Sequence, residues 1–258
     1  MELPVNRFKR AIASGETPLG VWLVSGSPAN AEALGCAGFD FLVLDTEHTP
    51  IDTAQAAEIL RTIASTPASA IVRPAWNEMV LIKRLLDAGA QSLLIPFVQN
   101  AEEARRAVSY TRYPPEGVRG VAAVHRGSRY GTVSNYQKLA GNELCVIVQI
   151  ETLTALDHLP AIAAVPGVDS IFIGPADLSA SMGHLGDLAN PAVQDKLRDG
   201  AQRCRALGKP CGIVGPNPEQ VRRYLDYGFS WIAINSDIGL MVGRATEWIG
   251  QLKAPRTA

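Results

Sequence analysis

The stretch Leu144-Cys145-Val146-Ile147-Val148-Gln149-Ile150 is a continuous apolar run that is followed by Glu151. A run of this length, rich in β-branched residues, is typical of a strand that is buried on both faces of a parallel sheet. Seven further apolar runs occur along the chain, and most are separated by amphipathic stretches long enough for a crossover helix. Eight such strand–helix units predict an α/β fold, a (β/α)8 TIM barrel.

The predicted strands cover residues 19–24, 39–44, 70–72, 93–95, 144–150, 170–173, 212–214 and 231–234. The predicted crossover helices cover residues 53–63, 79–88, 102–111, 193–207 and 218–227. A doubly wound sheet is the alternative to a barrel. Its glycine-rich dinucleotide fingerprint is missing, because Gly26 and Gly35 lack the required spacing.

The composition predicts one domain that covers residues 1–258, since 47% of the residues are hydrophobic and no segment is low in complexity. The net charge of -1 gives no strong field for nucleic acids or anionic membranes, so we expect neither as a partner. No apolar run approaches the roughly 20 residues that span a bilayer, which predicts a soluble, cytoplasmic protein. The four cysteines form no CxxC pair and are interpreted as reduced and structural.

The alternation of strands and helices breaks once, between residues 113 and 141. This segment has no convincing strand and is rich in turn-forming residues, so we predict a long βα loop over one barrel mouth. We expect His125 in this loop to be solvated, like His158 and His184 elsewhere.

Polar side chains follow several of the predicted strands, at the barrel end where active sites lie. These residues are Asp45, Glu47, His48, Arg73, Gln149, Glu151, Asp177, Asn235 and Asp237. Residues just after a strand can instead cap the following helix. We expect this role for Asp52, and it remains an alternative for Thr152 and Asp177. Their joint placement favours a catalytic mouth.

The residue types in this set indicate metal-assisted chemistry. Glu151 and Asp177 follow separate strands and can converge on one hard divalent cation such as Mg²⁺ or Mn²⁺. None of the six lysines stands at the C-terminal end of a strand, where a Schiff-base aldolase needs one. Arg73 suits a small carboxylate or a developing enolate charge, although a barrel-mouth ion pair is the alternative. His48, with Asp45 to orient it, is a candidate general base.

Six motifs in the same order resemble the HpcH/HpaI class II pyruvate aldolases over nearly the whole chain. The motifs begin at Leu44 (LDTEH), Val72 (VRP), Asp87 (DAGAQ), Arg112 (RYPPEGVRG), Gln149 (QIET) and Ile173 (IGPADLS). The stretch of residues 125–129 departs from the usual loop of the family, and in a loop over the mouth this would affect the acceptor aldehyde.

The resemblance implies a divalent metal cation (Mg²⁺, Mn²⁺ or Co²⁺) held by Glu151 and Asp177, with pyruvate chelating it and Arg73 beside the reacting ketone. The substrates it implies are 4-hydroxy-2-oxo acids, such as 4-hydroxy-2-oxoheptanedioate, which are cleaved reversibly to pyruvate and an aldehyde through an enolate.

The resemblance also assigns roles to further residues. It implies that Asp45 and His48 act as a dyad through water and that Gln149 contacts the substrate. It implies that the backbone at Ala176 and Asp177 binds the pyruvate carboxylate. It further implies a hexamer in which Asp87 reaches the active site of a neighbouring subunit.

Two other functions remain open at this point. An oxaloacetate decarboxylase would use the same enolate and would release pyruvate and CO₂. The second is a carboxylate-binding barrel without catalysis. Such a barrel would be expected to lack a metal-binding acid or the base. Here Glu151, Asp177, Arg73 and His48 are all present.

Overall fold

A computed structural model describes residues 1–253 and shows a closed barrel of eight parallel strands in the order β1 to β8. The strands are β1 (Leu19–Leu23), β2 (Phe41–Asp45), β3 (Ser69–Arg73), β4 (Ser92–Ile95), β5 (Cys145–Ile150), β6 (Ser170–Ile173), β7 (Cys211–Gly215) and β8 (Trp231–Ser236). The predicted (β/α)8 TIM barrel is therefore confirmed, and each predicted strand lies within two residues of an observed one.

Most of the helices connect these strands around the outside of the barrel, except α1, which precedes β1, and α12, which follows β8. They are α1 (Arg7–Ser14), α2 (Pro28–Cys36), α3 (Thr53–Ile63), α4 (Met79–Asp87), α5 (Ala101–Thr111), α6 (Tyr136–Leu139), α7 (Leu153–Asp157), α8 (Leu159–Ala163), α9 (Pro175–Ser181), α10 (Pro191–Ala206), α11 (Pro218–Tyr227) and α12 (Asp237–Lys253). All five predicted crossover helices are present, and α3 and α11 have the predicted bounds.

The N-terminal end of the barrel is closed by α1, which the sequence did not predict. Phe8 of α1 packs edge-on against Phe41 and Trp231 inside the barrel, with ring centroids 5.1 and 5.3 Å apart. Ile12, one turn later, is buried in the same cluster. Phe8 and Ile12 stand four residues apart, the spacing of one face of a helix, and this was the signal that could have revealed α1 despite its length of only eight residues. Because this end is plugged, the opposite end carries the open mouth.

The long segment after α5 does not cover that mouth, and the prediction of a βα loop is wrong. The segment joins the end of α5 to the start of β5, so it is an αβ connection at the N-terminal end of the barrel. Arg126 in this segment donates to the carbonyl oxygens of Ala88 and Leu60 at the ends of α4 and α3, over 2.9 and 3.1 Å. Divergence in residues 125–129 therefore does not alter the catalytic mouth of the same subunit.

His125 lies in this segment and is not solvated as expected. Its side chain is 8% exposed, and Nδ1 accepts a hydrogen bond from the backbone N–H of Ser128 at 3.2 Å. The ring also contacts the ring of Tyr136, with centroids 5.2 Å apart. His125 therefore caps the short 3₁₀ turn Arg126–Ser128. The contacts with Ser128 and Tyr136 bury His125, and no local sequence pattern predicts them.

Among residues 1–253, α12 is the one long helix that does not pack along the barrel. Beyond its first turn every residue up to Lys253 is exposed, including Met241, Trp248 and Leu252. These residues share one face with Val242 and Ile249, at the spacing of an amphipathic helix. Within residues 1–253, no helix is long and apolar enough to cross a membrane.

Candidate active site

Two charged side chains emerge from neighbouring strands at the open end of the barrel. Asp45 is the last residue of β2 and pairs in register with Arg73, the last residue of β3. Nε and Nη2 of Arg73 donate to the two carboxylate oxygens of Asp45 over 2.9 and 2.7 Å. Both residues are more than nine-tenths buried. The result is a bidentate ion pair that fixes the plane of the guanidinium.

A second acid completes the surroundings of Arg73. Oε2 of Glu47 lies 2.9 Å from Nη1, and the guanidinium sits over the ring of Trp22 at 4.4 Å from its centroid. Burial raises the pKa of Glu47, and this rise exceeds the opposing effect of Arg73. Arg73 is therefore held by one acid on each side and by an aromatic face.

His48 lies at the rim of the mouth, where its side chain is 66% exposed. Its Nε2 is 3.7 Å from Oε2 of Glu47. Among the described residues, His48 forms an ion pair with Glu47 and none with Asp45, whose two oxygens accept hydrogen bonds from Arg73. A dyad of Asp45 and His48 would thus act across a gap, through water, as the family resemblance implies.

Glu151, the predicted metal-binding acid that directly follows β5, is buried, and hydrogen bonds fix both of its carboxylate oxygens. Glu151 is 2% exposed; its Oε1 accepts a hydrogen bond from the backbone N–H of Phe97 at 2.8 Å, and Oε2 accepts one from Nε2 of Gln149. Burial raises the pKa of Glu151 to about 7, and the charges of Asp177 and Glu47 add to the rise. Oε1 of Gln149 is buried without a partner in the described structure and is free to accept from a ligand.

Gly174, between β6 and α9, lets the next strand end approach this carboxylate. A Cβ at this position would lie 2.7 Å from Oε2 of Glu151 and 3.2 Å from Nε2 of Gln149, so a larger residue would displace the carboxylate. Ala176 and Asp177 follow in the first turn of α9 and are exposed towards the mouth. The N–H groups of this first turn have no partner within the helix, so they could bind an anionic group.

The capping alternatives divide in two. Asp52 caps α3 by accepting from the N–H of Gln55 at 2.9 Å, and Thr152 caps α7 by accepting from that of Ala155 at 3.1 Å. Asp177 is not a cap, because it lies inside α9 and the N-cap residue there is Gly174. The exposed carboxylate of Asp177 therefore remains available at the mouth.

These side chains suit a hard divalent cation with open coordination positions. Within residues 1–253 no group of three or more His, Cys, Asp or Glu side chains is placed to hold a metal. Glu151 and Asp177 alone would leave several positions for substrate and water, which is how Mg²⁺ is commonly bound. The carboxylates at the mouth have only one nearby arginine among the described residues, and Asp45 and Glu47 already hold it. A cation would supply the missing positive charge.

A cavity of about 460 Å³ joins most of the predicted site residues. The predicted residues that line it are Asp45, His48, Arg73, Gln149, Ala176, Asp177 and Asn235, whereas Glu151 lies outside the lining. Trp22 and Phe172, which the sequence argument did not single out, also line it, with ring centroids 6.1 Å apart. Both belong to strands and point inward, a placement that the period of the strands could have shown.

Asp87 is not part of this cavity. It ends α4, at the opposite end of the barrel, where its Oδ1 lies 2.7 Å from Nη2 of Arg119 and 3.8 Å from Nε2 of His125. Arg119 is fully buried, and its Nε and Nη1 have no partner in the part of the chain that the structure describes. A catalytic role for Asp87 would therefore require another subunit.

Comparison with known proteins gives one consistent result. The sequence model of the HpcH/HpaI aldolase/citrate lyase family matches residues 18–243. The 2-dehydro-3,6-dideoxy-6-sulfogluconate aldolase of Pseudomonas putida is 51% identical over 92% of this chain and 92% of its own length. The pyruvate aldolase of Rhizobium etli is 48% identical over 93% of this chain and 95% of its own. The crystal structure of an HpcH/HpaI aldolase/citrate lyase family protein from Burkholderia cenocepacia J2315 superposes with a TM-score of 0.94, at 36% identity, over 97% of this chain and 100% of that one.

Proposed function

Because the chain belongs to the HpcH/HpaI aldolase/citrate lyase family and is a carbon–carbon lyase of the aldolase type, we propose that it is a metal-dependent pyruvate aldolase. It cleaves 4-hydroxy-2-oxo acids reversibly to pyruvate and an aldehyde. The observation that carries this proposal is the cavity in which Arg73 faces the strand ends that bear Gln149 and Asp177.

Glu151 and Asp177 are the residues that would hold the metal. Their hard oxygen donors and the negative charge around them support a cation such as Mg²⁺, Mn²⁺ or Co²⁺. When bound, such a cation acts as a Lewis acid on the 2-oxo group of the substrate. Gln149 holds one oxygen of Glu151 and keeps its own buried Oε1 free for a substrate hydroxyl.

Arg73 provides fixed positive charge for the oxygen that becomes negative during cleavage. Three of its five N–H groups face Asp45 and Glu47, so two remain for a substrate oxygen. The bidentate pair with Asp45 orients these two before the substrate arrives. A pre-oriented donor in a partly dehydrated site is worth more than one in water.

His48 moves the proton of the 4-hydroxyl group in this proposal. Its imidazole is exposed at the rim of the cavity, where it can reach the substrate side that faces solvent. Oε2 of Glu47, 3.7 Å from Nε2, is placed to stabilise the protonated ring by its charge. The backbone at Ala176 and Asp177 binds the carboxylate end of pyruvate.

The names of the relatives narrow the substrate class. The name of the Pseudomonas putida relative describes a 2-oxo acid without a hydroxyl at C3, and that of the Rhizobium etli relative contains pyruvate. Both agree with cleavage between C3 and C4 of a 4-hydroxy-2-oxo acid. We therefore propose this class, within which 4-hydroxy-2-oxoheptanedioate is one candidate.

We further propose that the protein is a homo-oligomer, with the hexamer implied by the family resemblance. The exposed apolar face of α12 supports this, since large exposed apolar patches mark interaction sites. The position of Asp87, at the end of the barrel far from its own cavity, agrees with a role in a neighbouring subunit. Four free cysteines support a reducing, cytoplasmic location.

The proposed function is tested by a panel assay. Purified protein is supplied with Mn²⁺ and either pyruvate with a set of aldehydes or 4-hydroxy-2-oxo acids of different chain lengths. The proposal expects condensation and cleavage with pyruvate as the common partner. Release of pyruvate and CO₂ from oxaloacetate, without any aldol reaction, would identify a decarboxylase instead.

A further inference from the structure

The loop after β4 contains an unusual backbone conformation at Phe97. Its φ angle is +53°, in the left-handed region that residues with a side chain rarely adopt. Bulky residues in this region are held there by their surroundings, and such strain often occurs at functional sites. A physical reason for the conformation is therefore needed.

The left-handed turn aims two successive backbone N–H groups at the same strand. The N–H of Phe97 donates to Oε1 of Glu151 at 2.8 Å, and the N–H of Val98 donates to the carbonyl oxygen of Gln149 at 3.0 Å. In an extended chain, successive N–H groups point in opposite directions. The left-handed conformation of Phe97 allows both N–H groups to face β5.

The side chain of Phe97 is held by Trp76, in the loop after β3. The two rings are stacked, with centroids 5.6 Å apart and planes at 27°. Phe97 remains 40% exposed and Trp76 51% exposed, so burial alone does not fix the loop. The stacked pair is the contact that ties this backbone conformation to the neighbouring strand end.

We propose that Phe97 is a positioning residue: its left-handed backbone, held by stacking on Trp76, fixes Oε1 of Glu151 and thereby the direction in which this carboxylate faces a metal ion. The inference rests on the proposed function in one respect, the role of Glu151 as a metal ligand. Phe97 does not line the cavity, so it would act through Glu151.

The test compares Phe97→Ala with Phe97→Gly. Both remove the ring and keep the N–H, but only glycine adopts a positive φ without steric cost. In the alanine variant we expect the loop to relax and the hydrogen bond to Glu151 to be lost. The affinity of the apoprotein for Mn²⁺ should then fall about 10- to 100-fold, as is typical when a partner of a metal ligand is removed. The electron paramagnetic resonance signal of free Mn²⁺ measures this affinity.

Phe97→Gly should bind Mn²⁺ within about threefold of wild type, because the backbone geometry survives. Trp76→Ala should weaken binding in the same direction as Phe97→Ala. Tyr130→Ala is the matched control, since Tyr130 is also an exposed aromatic residue with a positive φ of 57° but lies in the segment at the opposite end of the barrel. It should bind as wild type does.

Wild-type Mn²⁺ affinity in Phe97→Ala would overturn the inference, and so would glycine and alanine variants that are equally weak. Amide hydrogen exchange at residue 97 gives a readout that needs no metal. Exchange should be faster in the alanine variant than in the glycine variant and in wild type. If wild-type protein binds no metal, the proposed function fails, whereas this exchange pattern still decides whether residue 97 positions Glu151.

Discussion

Arg73 and Asp45 end adjacent strands and form a bidentate ion pair, with N–O distances of 2.9 and 2.7 Å. Their pairing follows from the register of β2 and β3, which places the two residues side by side. The barrel itself thus orients the guanidinium, and Glu47 holds it from the other side. Because three N–O contacts fix its plane, the remaining donors have a defined direction.

The first prediction concerns this guanidinium. Arg73→Ala should lower kcat/KM for aldol cleavage. The loss should correspond to about 3 kcal/mol of transition-state stabilisation, which is typical for one oxyanion donor. Arg73→Lys should also be poor, because an ammonium group cannot reproduce the planar fork that Asp45 and Glu47 orient. Steady-state kinetics on both variants provide the measurement. Near-normal turnover of the lysine variant would make Arg73 a structural ion-pair residue.

The second prediction concerns His48. Since its side chain is 66% exposed, His48→Ala should fold normally, and cleavage should fall by roughly 10²- to 10⁴-fold, as expected for the loss of a positioned base. In the proposed reaction the same base returns a proton to C3 of the enolate, so deuterium exchange into the pyruvate methyl group, which needs no aldehyde, measures the loss of this base. His184→Ala serves as a control, since this histidine lies outside the cavity lining. Exchange at the wild-type rate in His48→Ala would instead indicate Glu47 as the base.

The third prediction concerns stability and pH at Asp237, which joins the first turn of α12 to β1. Its Oδ1 accepts from the N–H of Val24 at 3.0 Å and of Ile238 at 2.9 Å, and its other oxygen accepts from Ser25 and Asn30. Burial alone would raise the pKa of Asp237, but these hydrogen bonds together outweigh it and lower the pKa from 3.8. The carboxylate therefore stabilises the fold above the pKa of the unfolded chain, and this effect is lost as the pH falls through the lower folded value.

Asp237→Asn should therefore lower the free energy of unfolding by about 1.5–3 kcal/mol near neutral pH, the usual range for a hydrogen-bonded charged group. The difference from wild type should narrow as the pH falls below about 4. Denaturant unfolding at several pH values measures both. A difference that does not change with pH would show that the charge of Asp237 plays no part.

The fourth prediction concerns assembly through α12. The double substitution Met241→Glu and Trp248→Glu places charge on the apolar face of this helix and should convert the oligomer to smaller species. Size-exclusion chromatography with light scattering gives the mass. Leu207→Glu, at an exposed leucine outside α12, should leave the mass unchanged. An unchanged oligomer in the double variant would show that α12 is not the interface.

The sequence was sufficient to predict the barrel and to select residues at its open end, because apolar runs and strand-end positions are local features. Asp45, Arg73 and Gln149 come together as expected since each lies in the last two residues of a strand. Asp45 pairs with Arg73 and not, as predicted, with His48. This pairing depends on the register of β2 and β3, which the sequence does not show.

Other features depend on contacts between distant segments. The segment after α5 was placed at the wrong end because its turn-forming residues do not show whether a strand or a helix precedes them. Its position after a predicted helix was the signal that could have corrected this. The backbone conformation of Phe97 depends on Trp76 and Glu151, so no local pattern reveals it.

The central claim is that cleavage depends on a divalent cation bound at Glu151 and Asp177. The most direct test is the rate of pyruvate release from a 4-hydroxy-2-oxo acid by EDTA-treated protein, before and after addition of Mn²⁺, with Asp177→Asn assayed in parallel. The account predicts no activity without metal, recovery with Mn²⁺ in wild type, and little or no recovery in Asp177→Asn. Full activity of the metal-free protein, with a covalent adduct trapped by borohydride and pyruvate, would contradict it.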